Sequence, residues 1–375
     1  MSEKFTSTKK VNYGSRLKNS IGGIIFGPLM VIVAAGLLYW NEGRVDLSNI
    51  AKQSTVVDAD ALNTDANLNG KLVSVTGEIK TGEAIGDDLF LKSGGWLAVK
   101  RKVEMYAWDE EVEEDSKKNL GGSETVETTY RYVKQWQEDP ASSNDFEQSE
   151  GHINPEKSLA SIDKYATKAT VGVYQFNPQE IAIGGFTQLV LDEEKVNLQA
   201  DSFLANNFIF IKKGNSGTLE NPEVGDLRVS YEVINSDFEG TVFGALKNDK
   251  IESYFDKKSN KLYYLFAGSR EQGIAALHSG HMTTIWIFRL VGFVLMWVGL
   301  KSFLSVFSVL LDVVPLLGSL SRSLIGVVTF VIAIALSLLM IIVSKIVHNV
   351  LFLILFLVFI AGLVFWLTRK KKKKD

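Results

Sequence analysis

Two kinds of hydrophobic pattern divide the chain: long uncharged runs near both ends, and short alternating runs between them. Residues 21–40 form the first uncharged run, and at ~1.5 Å rise per residue this length crosses a ~30 Å hydrocarbon core. Tyr39 and Trp40 end the run at the depth where membrane proteins place aromatic side chains. Because no small-residue cleavage site precedes the polar flank, the run predicts an uncleaved anchor and not a signal peptide.

Three further runs near the C-terminal end predict membrane helices. They cover residues 282–300, 323–344 and 349–368, and only Arg289 interrupts the first of them with a charge. Asp312 and Pro315 break the hydrophobic residues 301–322 into pieces too short to span, so this stretch is predicted to be a cytoplasmic or re-entrant loop.

The region between the first two runs, residues 41–281, has the patterns of a mostly β structure. KLVSVTGEI alternates apolar and polar residues, and two long β-branched and aromatic stretches flank Gly121-Gly122, which predicts a long hairpin. Asn154-Pro155 and Asn177-Pro178 predict short helices, because each pairs an N-cap residue with proline at the first helical position. Residues 270–281 look helical and lead into the second span. The predicted fold class is an integral membrane protein with four transmembrane α-helices and a large mostly-β (α+β) domain inserted between helices 1 and 2.

Charge predicts the orientation of these parts. Residues 1–20 have a net charge of +4, residues 41–281 of −15 and residues 369–375 of +5, although the whole chain is only −3. Basic segments stay on the cytoplasmic side of a membrane, so both termini are predicted to be cytoplasmic. This placement requires an even number of spans, which four helices satisfy. The acidic region is then extracytoplasmic.

Composition excludes several kinds of chemistry. The chain has no cysteine and four histidines, and it contains no nucleophile-elbow, HExxH or phosphate-loop motif. His278 and His281 are three residues apart, but no acidic third ligand is adjacent, so we predict no metal site and no cofactor. The acidic stretch 109–115 lacks the ligand order of a calcium loop. An acidic domain repels phosphate, which argues against nucleic-acid binding. We therefore predict that the protein is not an enzyme.

The membrane segments contain the residues that suggest assembly. Gly292, Met296 and Gly299 lie on nearly one helical face, where small residues allow close helix packing, either within one chain or between copies. The Arg289 side chain could extend along the helix toward the outer membrane surface. The alternatives are that it pairs with a buried partner, contacts another copy of the chain or lines a pore. The basic tail, Arg369 followed by five lysines, is predicted to bind the anionic cytoplasmic leaflet.

Several segments together give the chain a resemblance to the transmembrane protein 43 (LUMA) family, in order from the first span to the last. The first is the segment 40–44, which we call the WNEGR motif, and it consists of Trp40, Asn41, Glu42, Gly43 and Arg44. The remaining matches include Glu104, Met105, Tyr106, Gly151, His152, Pro222, Gly225, Asp226, Arg228, the segment 270–272 and the second-span residues around Arg289. None of these is a catalytic signature.

The resemblance implies a four-span membrane scaffold that self-associates. Animal members are found in the endoplasmic reticulum and inner nuclear membrane and are linked to emerin, lamins and nuclear-envelope organisation. A channel or channel-associated role is the alternative. The absence of cysteine and the lysine tail indicate a distant or bacterial member. In a bacterium the domain would be periplasmic, and the nuclear partners could not be carried over.

Overall fold

The structure is a computed structural model, and it describes residues 3–61, 66–214, 216–311 and 315–349 together with residues 353, 354 and 358. The chain separates into two compact units. We call the first the β unit; it comprises Met1–Thr6, Asp46–Glu113 and Thr129–Ser279. We call the second the helical unit; it comprises Ser7–Val45, Glu114–Thr128 and Gly280–Asp375.

The helical unit is built on three long apolar helices. They are α1 (Tyr13–Glu42), α3 (Arg270–Leu311, whose first turns belong to the β unit) and α4 (Pro315–His348). Within the described residues, each contains a segment long and apolar enough to cross a membrane. This agrees with the first three predicted spans. The predicted fourth span, residues 349–368, and the basic tail lie outside the described residues except for isolated positions.

The predicted loop 301–322 differs from the structure. Helix α3 continues to Leu311, and α4 already begins at Pro315, so most of this stretch is helical. The physical reason is that proline is well tolerated in the first turn of a helix, where its missing N–H has no partner to lose. Pro315 therefore begins a helix, although the sequence analysis treated it as an interruption.

Helices α1 and α3 approach closely through glycines. A Cβ atom added to Gly299 would lie 2.8 Å from the Gly27 carbonyl oxygen, and one added to Gly292 would lie 2.6 Å from the Leu38 side chain. Met296 is buried between them, in a cluster with Ala34 of α1 and Ala333 of α4. The candidate packing residues of the second span are thus in contact with another helix of the same chain.

The β unit contains two large sheets. The first, sheet A, has the strand order β1-β5-β4-β13-β12-β11, with β6 added on β4 and β10 on β13. Its strands are β1 (Glu3–Val11), β4 (Trp96–Lys118), β5 (Glu124–Gln137), β6 (Ile162–Tyr165), β10 (Thr187–Gln188), β11 (Ser202–Ala205), β12 (Phe208–Ile211) and β13 (Leu227–Asn235).

The second, sheet B, has the order β2-β3-β7-β8-β15-β14-β18-β9, with β3 also paired to β14. Its strands are β2 (Thr55–Asp58), β3 (Leu72–Thr81), β7 (Ala169–Val171), β8 (Tyr174–Phe176), β9 (Ala182–Ile183), β14 (Phe238–Lys247), β15 (Lys250–Glu252) and β18 (Tyr264–Ala267). A separate hairpin joins β16 (Tyr254–Phe255) to β17 (Lys261–Leu262).

The core of the β unit lies between the two sheets. Leu97 of β4 and Ile234 of β13 join Val75, Val242 and Leu265 of sheet B in one buried cluster. A smaller cluster forms at one end of sheet B, where the short helix α2 (Leu47–Ala51) and the first turns of α3 are packed. Alternation along the strands thus produces the mostly-β domain that the sequence predicts.

Three local predictions need correction. The hairpin of β4 and β5 turns at residues 119–123, as Gly121-Gly122 predicts, but the acidic stretch 109–115, which was expected at the tip of the hairpin, lies within β4. Neither Asn-Pro segment begins a helix. The Asn154 side chain bonds the backbone of Trp108 instead, and Asn177 closes a turn through Gln179 and Glu180. The N-terminal flank 1–20 contains β1 and the start of α1.

Candidate functional site

An ion pair joins the end of α1 to α3 in the helical unit. The Arg289 Nε is 2.6 Å from Glu42 Oε1, and one terminal nitrogen is 2.8 Å from Oε2, so both carboxylate oxygens are bonded. The Glu42 side chain is 3% exposed and that of Arg289 is 14% exposed. The guanidinium also lies 4.7 Å from the Trp286 ring centroid. Bidentate geometry and aromatic stacking are the contacts that suit arginine better than lysine.

The other residues of the WNEGR motif surround this pair. Asn41 is fully buried and donates a 3.0 Å hydrogen bond to the Ile285 carbonyl oxygen. The Trp40 ring meets Phe288 edge-on at 5.7 Å, and the Arg44 guanidinium lies over both rings at 5.2 and 5.5 Å. Cation–π contacts of this kind stabilise by roughly 0.5–1 kcal/mol at exposed sites. The WNEGR motif therefore holds the end of α1 against α3.

Helix α4 meets the same end of α1 on another side. The Ser344 hydroxyl donates to the Tyr39 carbonyl oxygen at 2.6 Å, and the His348 ring lies 4.8 Å from the Tyr39 ring. A side chain at Gly43 would overlap the His348 imidazole. Glycine is thus required at position 43 by the close approach of α4, and the motif contacts two helices.

The family-matching residues of the β unit lie on a cross-strand ladder. Arg228 of β13 is opposite Glu104 of β4, and its Nε is 2.7 Å from the Glu104 carboxylate. The same guanidinium lies 4.8 Å from the Trp136 ring and 4.7 Å from the Phe208 ring. Met105 is buried, and Tyr106 contacts Trp136 at 5.3 Å. Burial raises the pKa of the Glu104 carboxyl, but the opposing effects of Arg228 and then Lys102 are larger together. The net shift of the pKa is therefore downward.

The turn before β13 accounts for three more of these residues. Asp226 is fully buried and accepts hydrogen bonds from the backbone N–H groups of Lys213 at 2.8 Å and Glu223 at 2.7 Å. Gly225 has φ of 100°, a conformation that favours glycine, and its N–H bonds the Tyr106 carbonyl oxygen. Pro222 immediately precedes this turn. These residues shape the chain for the ladder and expose no reactive group.

His152 belongs to an aromatic cluster. Its ring stacks on Tyr132 at 3.9 Å and meets Trp108 edge-on at 4.7 Å, while Nδ1 lies 3.0 Å from the Gln148 carbonyl oxygen. Gly151 precedes it with φ of 85°. The Tyr132 hydroxyl bonds Glu110; burial, and then this carboxylate, raise the pKa of Tyr132 to about 12. The histidine is therefore part of a packed turn.

The sequence analysis missed a buried ionic cluster around Asp87. One carboxylate oxygen accepts backbone N–H groups of Leu89, Phe90 and Leu91, and the other bonds Arg101 at 2.9 Å and the Tyr231 hydroxyl. Burial alone raises the pKa of Asp87, but these hydrogen bonds outweigh it and the net shift is downward. Burial, then Asp87, raise the pKa of Tyr231. The only sequence signal was an arginine within an apolar strand.

The two histidines early in α3 lie on successive turns of that helix. His278 Nδ1 lies 2.7 Å from Asp46 Oδ2, and His281 is one turn farther along α3. Among the described residues, no group of three or more His, Asp or Glu side chains is placed to hold a metal ion. The His278–Asp46 contact therefore joins α3 to the residue that caps α2.

Comparison with known proteins identifies the family of this chain. A family model described as Transmembrane protein 43 matches residues 105–350. The chain belongs to the transmembrane protein 43 family. Rat transmembrane protein 43 is 27% identical over 353 residues, covering 89% of this chain and 86% of the relative. The human protein is 26% identical with the same coverage, and the Drosophila melanogaster homolog is 26% identical over 314 residues, or 79% of this chain and 80% of the relative.

No solved structure matches the chain significantly. Membership of the transmembrane protein 43 family agrees with the apolar helices and confirms the resemblance drawn from the sequence. At about 26% identity, the chain is a distant member. The matched range begins at Met105, so it includes Arg228 of the ladder, the aromatic cluster and Arg289, whereas Glu104 and the WNEGR motif precede it.

Proposed function

We propose that this membrane protein is a self-associating scaffold that organises membrane protein partners through an extracytoplasmic β unit. The observation that carries the proposal is how the polar groups of the helices are used. Arg289, Asn41, Ser344 and the Trp297 indole N–H each bond another helix of the same chain. Groups committed in this way hold helices in fixed positions, which a scaffold requires, and they are not available for substrates.

We infer that self-association uses a surface other than the glycine face of the second span. Gly292 and Gly299 face α1 of the same chain, so they support helix packing within one copy. Many large apolar side chains remain exposed on the helices, among them Ile25, Leu290 and Val331. Contacts between copies would replace lipid there, or would form through the β unit.

The channel alternative would need polar residues that recur along a span, and α4 offers Thr329, Ser337 and Ser344 near one of its faces. All three are buried, and the hydroxyl of Ser344 bonds the Tyr39 carbonyl oxygen while that of Thr329 bonds its own helix. Small polar residues used this way support helix packing. The scaffold is therefore the function we favour.

Analytical ultracentrifugation in density-matched detergent tests the proposal. We expect a concentration-dependent oligomer across the micromolar range. A strictly monomeric species over that range would reject self-association. Crosslinking in native membranes then identifies protein partners, and these need not be the nuclear-envelope proteins linked to animal relatives.

A further inference from the structure

The small hairpin of β16 and β17 has an exposed aromatic side chain beside its turn. Tyr254 pairs with Leu262 and Phe255 with Lys261. Tyr254 and Leu262 point into the β unit, where they belong to a buried cluster, whereas Phe255 is 58% exposed. More than half of the surface of Phe255 is therefore available for a contact outside the β unit.

The turn of this hairpin is basic, although residues 41–281 are acidic overall. Residues 256–261, DKKSNK, contain three lysines and one aspartate. The Asp256 carboxylate accepts hydrogen bonds from the Asn260 side chain and from the backbone N–H groups of Lys258 and Asn260, and these bonds lower its pKa. Lys257 and Lys258 are exposed, and the charge of Lys258 also helps to lower the pKa of Asp256. The hairpin thus presents one aromatic ring and two exposed ammonium groups.

The position of the hairpin in the β unit indicates what these groups meet. Tyr254 and Leu262 pack with Ala51 of α2 and with Ile274 and Leu277 of α3. Helix α2 begins five residues after α1 ends, and α3 continues along the chain into its apolar run. The hairpin therefore packs on α2 and the first turns of α3, the two segments of the β unit that adjoin the apolar helices along the chain.

We propose that the β16–β17 hairpin docks on anionic phospholipid headgroups of the bilayer that the helices cross, on the side of the β unit. Phe255 enters the boundary between headgroups and acyl chains, and Lys257 and Lys258 bind lipid phosphates. Aromatic rings favour this depth, and lysines near the surface are attracted to an anionic membrane. This contact is independent of self-association and differs from that predicted for the cytoplasmic tail.

The absence of cysteine makes a direct test simple. The full chain carrying Phe255→Cys, labelled with an environment-sensitive dye, is placed in nanodiscs of phosphatidylcholine alone or mixed with phosphatidylglycerol. Val190→Cys, which replaces a residue that is 69% exposed on another part of the β unit, is the control. We expect a blue-shifted emission and at least twofold stronger quenching by spin-labelled lipids for the Phe255 site, greatest in the anionic discs.

Lys257→Gln with Lys258→Gln should remove the dependence on anionic lipid and leave the labelled chain folded, since both lysines are exposed. Identical emission and quenching at the two labelled sites in both discs would overturn the proposal. A Phe255 signal that is the same with and without phosphatidylglycerol would overturn recognition of anionic headgroups. Neither result depends on the oligomeric state measured by ultracentrifugation.

Discussion

Arg289 shows how the membrane helices accommodate a charge. An arginine in the middle of a span costs about 2.5–3.5 kcal/mol on insertion scales. Here Glu42 bonds it through both carboxylate oxygens and Trp286 covers one face. Charge is therefore neutralised within the chain, and the choice between snorkelling and pairing that the sequence left open is answered by a partner 247 residues away.

Breaking this pair should destabilise the helical unit. Removal of one member of a buried ion pair typically costs about 3–5 kcal/mol, because the other charge stays buried and unpaired. We expect Arg289→Gln and Glu42→Gln each to lose about 3 kcal/mol in detergent unfolding experiments, and the double variant to lose less than the sum. Lys301→Gln, which removes another cation lying over a tryptophan of α3, is the control and should lose under 1 kcal/mol. Fully additive losses would show that the two side chains act independently.

Asp87 gives the β unit a defined acid sensitivity. Its pKa is lower in the folded protein than in the unfolded chain, where an aspartate has a pKa of ~3.9. The stabilisation is therefore complete above that value and is lost as the pH falls toward the folded pKa. We expect Asp87→Asn to unfold more easily at neutral pH and to lose less stability than the wild type below about pH 4. Asp88→Asn, at a side chain 82% exposed, should follow the wild-type pH profile. Parallel profiles for all three proteins would contradict this role.

The partner of Arg289 was within reach of sequence reasoning, whereas that of Asp87 was not. Glu42 directly follows the first span and Arg289 lies early in the second, so the predicted topology already placed both near one membrane border. Asp87 sits in an irregular loop, and its contact with Tyr231 depends on the packing of strands far apart in sequence. No local pattern specifies such a contact.

At the scale of elements, strong periodic patterns predicted the helices and strands correctly. The Asn-Pro pairs, taken as helix starts, did not. The first three apolar runs became helices, and the alternating runs became β3, β4, β5 and β13. The first Asn-Pro segment failed because the Asn154 side chain bonds a residue 46 positions earlier, which leaves it unable to cap a helix. At the second, the Asn177 side chain bonds Gln179 and Glu180 in a turn that does not continue as a helix. Strand β1 was missed because charge dominated the interpretation of residues 1–20.

The glycines of the second span give a prediction for the α1–α3 contact. Leucine at either position would overlap α1, since Cβ atoms alone would lie 2.6–2.8 Å from its atoms. We expect Gly292→Leu with Gly299→Leu to lower the detergent unfolding temperature of the single chain, with any change in association secondary to this. Gly36→Leu in α1, where a Cβ meets nothing within 4 Å, is the matched control. An unchanged unfolding temperature with weakened association would move these glycines to a contact between copies.

At the scale of the whole molecule, the charge pattern and the structure lead to different placements of the N-terminal flank, residues 1–20. The positive-inside rule places residues 1–20 across the membrane from the β4–β5 hairpin. In the helical unit, however, Arg16 Nε is 2.9 Å from Glu124 and the same guanidinium bonds the Gly122 carbonyl oxygen in the hairpin turn. The acidic stretch 109–115 cannot cross hydrocarbon beside α1. Membrane insertion of α1 should therefore open this contact.

Cysteine labelling distinguishes these arrangements. Single cysteines at Ser7, Asp88 and Leu120, all in the Cys-free background, are treated with an impermeant thiol reagent from each side. Asp88 and Leu120 suit this purpose because both are exposed, whereas Asp87 is buried. We expect Asp88 and Leu120 to react from the non-cytoplasmic side and Ser7 from the cytoplasmic side. Joint labelling of Ser7 and Leu120 from one side would show that the contact persists and that α1 does not cross.

The separation of Glu42 and Arg289 along the chain also orders events during synthesis. A ribosome adding about 5–20 residues per second needs roughly 12–50 s to make the 247 residues between them. Throughout that interval the Glu42 carboxylate at the end of α1 lacks its Arg289 partner. The whole β unit is synthesised before the ion pair can form. Closure of the ion pair thus records that the intervening domain has been synthesised. A chain stalled or truncated before residue 289 keeps an acid at the membrane border without its Arg289 partner.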